Sequence, residues 1–359
     1  MRPRLAPKLP HVTLVQELDP MTDSKKNLWR ALQGLVWLLG VGILVALFWW
    51  PTIGLHALWN VLIPAAPLLV AIAPGLWRNI CPMASTALVL RHTGHSARKP
   101  VTTELQGHLL LIGVILLFAI VPLRHILLDL NGPATGFTLM GAALLAILMG
   151  SRFEWKSGWC SGICPVHPVE RLYGSSSVVS LPNAHCHPCE QCVVPCADST
   201  PRVDPLTAKK GRSRIIAGTI MAGGFAGFIW GWFQVPDYAG SAGLSHLGEA
   251  YAWPLGGTLV TLVAYLALRP FVSPILLRRS FAAAAIACYY WYRLPWLFGY
   301  GPFPGDGMLV DLTATLGPWF PAISRSVTTL FFTWWLVGRR ETNRSWLTRP
   351  ELAKATGSD

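Results

Sequence analysis

Eight stretches of mostly apolar residues follow one another along the chain, separated by polar segments. The stretches cover residues 28–50, 54–73, 106–123, 133–150, 214–233, 252–268, 281–298 and 318–338. Each is close to the roughly 20 residues that an α-helix needs to cross the hydrocarbon core of a bilayer. Pro64, Pro67, Pro254 and Pro321 fall within these stretches and predict kinks or breaks in some of them. The pattern therefore predicts about eight transmembrane helices.

Composition leads to the same conclusion. Of the 359 residues, 52% are apolar and only 13% are charged, which is too little polar surface to cover a soluble domain of this length. The chain is therefore predicted to be an all-α polytopic membrane protein that lies in a lipid bilayer. The segment before the first apolar stretch is polar, and no small-residue cleavage site follows that stretch. We therefore expect an uncleaved first helix.

Basic residues are distributed unevenly between two sets of loops. Of the 29 Lys and Arg residues, all except Arg124, Arg293 and Arg325 lie in the terminal segments or in the loops after the second, fourth and sixth apolar stretches. Because cytoplasmic loops collect Lys and Arg, this alternation predicts that both termini and these three loops are cytoplasmic. The same bias, with attraction to anionic lipid headgroups, accounts for the net charge of +12, so we expect no nucleic acid partner.

These assignments divide the chain into five parts and place it in the cytoplasmic (inner) membrane. The parts are a cytoplasmic N-terminal tail (1–27), a four-helix membrane half (28–150) with a Cys-Pro motif in its inner loop (74–105), a cytoplasmic cysteine-rich loop domain (151–213), a second four-helix half (214–338) and a cytoplasmic C-terminal tail (339–359).

The most informative motif of the predicted loop domain is CHPCEQCVVPC, from Cys186 to Cys196. Its spacing CxxCxxCxxxC, which includes Cys189 and Cys192, closely matches the cysteine run that binds 4Fe-4S clusters in bacterial ferredoxins. Zinc is the alternative metal, but zinc sites more often use two separated CxxC pairs. Cysteines that face a reducing cytoplasm are poor candidates for structural disulfides, so metal ligation is the expected role.

An internal repeat connects three further cysteines of the predicted cytoplasmic loops. The segment LWRNICPMAS resembles the later segment GWCSGICPVHP, so that Cys81 aligns with Cys164 and Trp77 aligns with Cys160. We interpret the likeness as a duplicated unit of two helices and a ligand. The alternative is a chance likeness between short apolar stretches that end in Cys-Pro. Cys288 lies alone in the seventh predicted helix, where we expect a small buried hydrophobic residue.

The combination of membrane helices, CxxxCP turns and a ferredoxin-type cysteine run resembles the NapH and NosR type of membrane ferredoxin and, more distantly, the CcoG proteins of cytochrome oxidase assembly. The resemblance covers about residues 30–205. It implies 4Fe-4S clusters on the cytoplasmic side that pass electrons between the quinone pool or a cytoplasmic donor and a redox partner protein. The chain departs from this family in three ways: Trp77 replaces a cysteine, only one ferredoxin run is present, and helices five to eight have no counterpart.

Seven cysteines are candidate iron ligands, and we expect them to bind one or two clusters. They are Cys81, Cys160, Cys164, Cys186, Cys189, Cys192 and Cys196. In two-cluster ferredoxins the first three cysteines of a run bind one cluster and the fourth binds the other. By that rule, the first three cysteines of the run would join Cys164 or Cys81, and Cys196 would join the remainder.

Seven cysteines are one fewer than two 4Fe-4S clusters need. The candidates for the eighth ligand are His167, His185, His187 and Asp198. The other possibilities are a second cluster with three irons, or a single cluster. For each of these four side chains taken singly, an ordinary loop residue is the favoured interpretation.

Two histidines are predicted near the outer face of the membrane. His56 begins the second helix and His125 follows the third, so together they could ligate a b-type haem or contact a quinone headgroup. A quinone is favoured over a haem, and interfacial histidines without a ligand are the alternative. The sequence has no CxxCH motif, which excludes a covalently attached c-type haem.

Two classes of function agree with these features. The first is a redox subunit that relays electrons between a cytoplasmic donor or the quinone pool and a membrane or extracytoplasmic partner. The second is a maturation or regulatory factor that uses its cluster to reduce a metal or to sense redox state while another respiratory enzyme is assembled. The sequence has no phosphate-binding loop, no dinucleotide-binding glycine motif and no GxSxG nucleophile motif, so nucleotide and hydrolytic chemistry are not expected.

Overall fold

The computed structural model describes residues 21–200, 210–238, 243–339 and 344–353. These residues are mostly helical, and the strands among them form one short parallel pair. Six helical segments of the described part are long and apolar enough to cross a membrane. The prediction of a helical membrane protein is therefore confirmed.

The helices and strands follow in chain order. The α-helices are α1 (Asp23–Trp49), α2 (Pro51–Leu55), α3 (Ile63–Ile72), α4 (Pro74–Ile80), α5 (Pro82–His92), α6 (Thr103–Ile120), α7 (Gly132–Arg152), α8 (His167–Tyr173), α9 (Arg212–Thr219), α10 (Phe225–Trp232), α11 (Leu247–Leu268), α12 (Pro274–Leu297) and α13 (Phe320–Thr333). Single π-helical turns cover His56–Leu62, Trp159–Ile163, Ile220–Gly224 and Trp334–Gly338. Short 3-10 turns cover Pro122–Arg124, Gly174–Ser176 and Gly243–His246. The strands are β1 (Leu181–Pro182) and β2 (Leu347–Thr348).

The six apolar helical segments correspond to the first six predicted stretches. They are Asp23–Trp49, Pro51–Ile72, Thr103–Arg124, Gly132–Arg152, Arg212–Trp232 and Gly243–Leu268. The seventh and eighth predicted stretches are also helical, as α12 and as α13 with its π turn, but they are not among the six. Helix α12 contains Arg278, Arg279 and Arg293 together with Tyr and Trp residues, all of which lower its mean hydropathy. The structure thus supports six spans by length and composition, where the sequence pattern predicts eight.

Polar caps and prolines set several helix boundaries. The side chains of Thr102 and Asn131 accept hydrogen bonds from backbone N–H groups in the first turns of α6 and α7. Pro321 stands in the first turn of α13, where a missing N–H costs nothing, so it starts this helix instead of kinking it. Pro67 and Pro254 do lie inside helices, in α3 and α11.

The main hydrophobic core lies between α3, α6, α8, the continuous α9–α10 rod, α12 and α13. Its largest fully buried side chains include Tyr173, Phe228 and Phe332. The α9–α10 rod is largely enclosed by its neighbours, whereas α1 and α11 expose most of their apolar residues. We therefore interpret α1 and α11 as peripheral helices whose outer faces contact lipid.

Glycines allow α10 and α11 to approach backbone to backbone. A Cβ atom added to Gly227 would lie 1.9 Å from the carbonyl oxygen of Gly257, and one added to Gly257 would lie 2.2 Å from that of Gly227. Small residues at such crossings are typical of helix pairs in membranes, where close van der Waals packing drives association.

A second, smaller core lies beside α5, α6 and α7, at the end of the helices where the cysteines gather. It contains Ala87, Leu109, Ala146, Trp159 and Cys160. The strands β1 and β2 pair at this same end, so the described part of the C-terminal segment packs on the loop that carries the cysteine run. We call this region the cysteine end of the molecule.

Candidate functional site

The two Cys-Pro turns of the internal repeat adopt the same backbone conformation. Cys81 joins α4 to α5 with φ −55° and ψ 121°, and Cys164 follows the π turn Trp159–Ile163 with φ −56° and ψ 122°. In each case the following proline disfavours the helical conformation for the cysteine, so the chain is extended there. The repeat in the sequence is therefore also a repeat in local structure.

The thiols of Cys81, Cys160 and Cys164 lie close enough to act on one another electrostatically. Burial is the main cause that raises the pKa of Cys160 to about 12, and the Cys81 thiol adds to this effect. Burial also raises the pKa of Cys164, with further contributions from Glu170, Cys160 and Cys81. We call Cys81, Cys160 and Cys164 the Cys-Pro group.

The four cysteines of the ferredoxin-type run form a second neighbourhood. Burial raises the pKa of Cys192 above its usual range, and Cys186, Cys196 and Cys189 raise it further. Burial raises the pKa of Cys186 to about 12, although the cation of Lys156 opposes the shift. Cys196 therefore lies with the other cysteines of its own run. We call these four residues the run group.

All eight cysteines are free thiols. Within the described part of the chain, no set of three or more His, Cys, Asp or Glu side chains is arranged to hold a metal ion.

Arg78 connects the Cys-Pro group to the loop that carries the run. Its side chain is only 3% exposed and forms ion pairs with Glu170 at 2.8 Å and with Asp198 at 2.7 Å. It also donates hydrogen bonds to the carbonyl oxygen of Cys160 at 2.6 Å and to the hydroxyl oxygen of Ser161 at 2.9 Å. Since these partners come from three different segments, Arg78 fixes α4 against both the π turn and the end of the run.

Lys156 is a second buried cation, and it lies near the run group. Its Nζ atom is 2.6 Å from Oδ2 of Asp198, and its charge acts on the Cys186 thiol. Burial alone would raise the pKa of Asp198, but Arg78 and Lys156 outweigh it and hold that pKa well below its usual range. The ionised carboxylate of Asp198 thus pairs with two cations, Arg78 beside the Cys-Pro group and Lys156 beside the run group.

Trp77, which takes the place of a cysteine in the first copy of the repeat, contacts the same ionic network. Its indole Nε1 donates a hydrogen bond to Oε1 of Glu170 at 2.8 Å. The other oxygen of Glu170 accepts from Arg78 and lies 3.3 Å from Nδ1 of His167. Burial alone would raise the pKa of Glu170, but Arg78 and His167 lower it, so the carboxylate is ionised.

The four candidates for an eighth ligand lie in different surroundings. Both carboxylate oxygens of Asp198 are held by Arg78 and Lys156. His187 is exposed, and its ring lies 6.2 Å from that of His92. His167 and His185 are both buried, and the Nε2 atom of each has no hydrogen-bond partner among the described residues. The last two are therefore the candidates with a free nitrogen lone pair inside the protein.

Backbone hydrogen bonds hold the run in place. The Asn183 side chain accepts from the N–H groups of His185 and Cys186, each at 3.1 Å. The N–H of Val101, just before α6, donates to the carbonyl oxygen of Cys192 at 2.9 Å. The Asn183 contacts fix the start of the run, and the Val101 contact ties the run to the start of α6 through its backbone.

The C-terminal segment also binds the run, which the sequence pattern does not indicate. The N–H of Cys189 donates to the carbonyl oxygen of Glu351 at 2.7 Å, and its own carbonyl accepts from the N–H of Ala353 at 3.0 Å. Further along, the indole of Trp346 donates to the Gly174 carbonyl at 2.8 Å, and the guanidinium of Arg171 lies 4.5 Å from the centre of the Trp346 ring. Residues 344–353 therefore form part of the cysteine end and are more than a tail.

His56 and His125 lie toward the opposite end of the helices. The ring nitrogens of His125 lie 2.7 Å from a carboxylate oxygen of Asp237 and 2.9 Å from the Trp232 carbonyl oxygen, so neither nitrogen is free for a haem iron. His56 is exposed, and its Nδ1 lies 2.7 Å from the side-chain amide of Asn60. The two histidines thus have separate partners, and the structure does not pair them around a common ligand.

Two residues of the site that sequence reasoning passed over are Arg78 and Lys156. Arg78 lies inside the first copy of the repeat, and Lys156 precedes the second copy by a few residues. The sequence pattern assigns both only to the positive-inside bias, because it does not distinguish a buried cation from a surface one. Their position beside cysteine motifs is the available signal.

Comparison with known proteins adds no relative: no protein-family model, no curated protein and no solved structure matches this chain.

Proposed function

We propose that this protein is a membrane-bound iron-sulfur electron-transfer protein with two 4Fe-4S clusters at its cysteine end, one bound by the Cys-Pro group and one by the run group. The observation that carries the proposal is the gathering of seven free thiols into two neighbourhoods, each with a buried cation beside it. Cys196 interacts with its own run, which favours a run that serves a single cluster over the crossed arrangement of two-cluster ferredoxins.

The thiols fit a cluster better than they fit a disulfide or a free-thiol role. Burial raises the pKa of Cys160 and Cys186, so without metal these thiols would stay protonated at neutral pH. Iron binds cysteine as the thiolate and displaces the proton. One buried and six partly buried thiols, none of them in a disulfide, are the kind of donor set that iron-sulfur clusters require.

The spacing CxxCxxCxxxC of the run favours a cluster over zinc, because zinc sites more often use two separated CxxC pairs.

The buried cations would set the electrostatic surroundings of the clusters. Arg78 lies beside Cys160 and Lys156 lies beside Cys186. Each cation lowers the free energy needed to ionise the neighbouring thiol. A positive charge beside a cluster favours its reduced form and raises its reduction potential. When bound, each cluster would accept or donate one electron. The protein would hold the cluster, keep water away from it and supply this charge.

The membrane setting follows from the helices, and the sidedness follows from the basic loops. Six apolar helical segments fix the protein in a bilayer. The loops that contain the cysteines are rich in Lys and Arg, so we place the cysteine end in the cytoplasm. From there the clusters would accept electrons from a cytoplasmic donor protein or from the quinone pool and pass them to a redox partner of a larger oxidoreductase system.

Anaerobic purification in detergent, followed by reduction and reoxidation, tests the proposal. We expect a broad absorbance near 400 nm that is lost on reduction with dithionite and returns on addition of an oxidised quinone. Cys160→Ser and Cys186→Ser should each remove about half of the change in absorbance, because the two cysteines belong to different groups. Cys288→Ser is the matched control and should leave the change intact.

Two results would refute the proposed function. The first is purified protein that contains zinc without acid-labile sulfide. The second is an absorbance that neither Cys160→Ser nor Cys186→Ser reduces.

A further inference from the structure

Two 4Fe-4S clusters need eight ligands, and the Cys-Pro group supplies only three to its cluster. The run group has four cysteines of its own, so the missing ligand belongs beside Cys81, Cys160 and Cys164. Trp77 occupies the place where the second copy of the repeat has Cys160, which explains why a cysteine is missing. Another side chain with a free lone pair must take its place if the second cluster is complete.

His167 is the side chain best placed for this role. It begins α8, three residues after Cys164, and its backbone N–H donates to the Cys164 carbonyl oxygen at 3.1 Å. Its side chain is completely buried, and its Nε2 atom has no hydrogen-bond partner within the described ranges. A buried polar atom that lacks a partner costs free energy, so an iron atom at this position would satisfy it.

The other ring nitrogen of His167 is held in the way that is typical of metal ligands. Nδ1 lies 3.3 Å from Oε2 of Glu170. An ionised carboxylate can only accept, so Nδ1 must carry the proton and Nε2 must carry the lone pair. Histidines that bind metals almost always donate their second N–H to a carboxylate or a carbonyl, which fixes the ring and its tautomer. Glu170 is in turn held by Arg78 and Trp77.

The other candidates fit less well. Asp198 is occupied by two cations, and His187 is exposed. His185 has a buried free nitrogen like His167, but it precedes Cys186 directly and interacts with Lys156 beside the run group. As a ligand there, His185 would be a fifth donor to a cluster that already has four.

We propose that Nε2 of His167 is the fourth ligand of the cluster bound by Cys81, Cys160 and Cys164, and that Glu170 is the residue that positions it. This inference rests on the proposed function. Trp77, which stands in place of the lost cysteine, then also contributes to the site. Its indole N–H donates a hydrogen bond to Glu170, the carboxylate that orients His167. A neutral imidazole in place of a thiolate makes the cluster less negative, so we expect this cluster to have the higher reduction potential of the two.

Pulsed EPR of the reduced wild-type protein tests this ligand directly. We expect a nitrogen coupling typical of an iron-bound imidazole on one cluster signal. Protein made with 15N-labelled histidine should show the corresponding change of that coupling. No variant is needed, so the result does not depend on whether a substituted protein folds.

Iron analysis of two matched variants adds a second readout. His167→Ala should lower the iron content to about half of the wild-type value and remove the nitrogen coupling. His185→Ala, which removes an equally buried histidine with a free Nε2, should preserve both.

The outcomes separate the two proposals. The ligand assignment is overturned if reduced wild-type protein shows no coupled histidine nitrogen, if the coupling survives in His167→Ala, or if His185→Ala removes it. Wild-type protein with only four irons, all lost in Cys186→Ser, would also overturn it while leaving the electron-transfer function intact. Wild-type protein without iron or sulfide would instead refute the proposed function.

Discussion

Replacing Arg78 with methionine should destabilise the protein strongly, because this one side chain joins α4, the π turn and the end of the cysteine run. Methionine fills a similar volume and keeps the apolar stem, so the loss is mainly one of charge and hydrogen bonds. The change would leave Glu170 with Trp77 and His167 as partners, and Asp198 with Lys156.

The size of the effect follows from burial. Arg78 and Asp198 are 3% and 2% exposed, so water cannot replace the lost partner. Removing one member of a buried ion pair typically costs about 3–5 kcal/mol. Because Asp198 keeps Lys156, we expect a value near the lower limit, about 3 kcal/mol. In a chain of this length, each kcal/mol lost from the free energy of unfolding lowers the melting temperature by about 2 °C. The melting temperature should therefore fall by about 6 °C.

Intrinsic fluorescence of the 17 tryptophans during heating in detergent measures this change. Lys26→Met is the matched control, because Lys26 pairs with Asp23, whose side chain is 93% exposed. We expect the control to stay within about 1 °C of the wild type, since exposed pairs contribute little. A melting temperature for Arg78→Met that equals that of the control would show that the buried network does not hold the cysteine end together.

Two further predictions concern other parts of the fold. Deletion of residues 344–359 removes the backbone partners of Cys189. Release of iron to a chelator should therefore become several-fold faster than in the wild type. An unchanged rate would contradict the docking of this segment. Gly227→Leu should lower the melting temperature by several degrees, because a side chain there meets the backbone of α11. Gly256→Leu is the control and should not lower it, because Gly256 faces open space. Equal effects of the two variants would contradict the close helix crossing.

The helical membrane fold could be predicted from the sequence because lipid requires long apolar helices. Six of the eight predicted stretches are apolar helices of sufficient length. The apolar pattern predicts α12 and α13 as spans, but the buried Arg279 and Arg293 interrupt the apolar character of α12, and α13 is only 14 residues long. Arg293, for example, donates to the side chain of Asn60 and to the Trp59 carbonyl, so α12 carries a charge that is satisfied inside the protein. Hydropathy patterns do not reveal such internal partners.

The candidate site was predictable only as far as local motifs reach. The spacing of the run and the two Cys-Pro turns predicts all seven candidate cysteines, because each motif lies within a short segment. Their division into two groups depends on contacts between distant segments, such as that of Arg78 with Asp198, 120 residues later. The docking of residues 344–353 depends on backbone hydrogen bonds, which leave no mark on side-chain composition.

The proposed fourth ligand of the Cys-Pro group shows the same limit. His167, His185 and His187 could not be told apart by sequence, since each lies near a cysteine motif. Burial and hydrogen-bond partners distinguish them: one is exposed, one lies beside the complete run group, and one is buried with its Nδ1 held by Glu170.

Mössbauer spectroscopy of anaerobically purified, 57Fe-enriched protein, combined with chemical analysis, tests whether the cysteine end holds the two proposed iron-sulfur clusters. We expect about eight irons and about eight acid-labile sulfides per chain, with the spectrum of 4Fe-4S clusters in both groups. Protein that contains zinc or mononuclear iron, without labile sulfide, would contradict it.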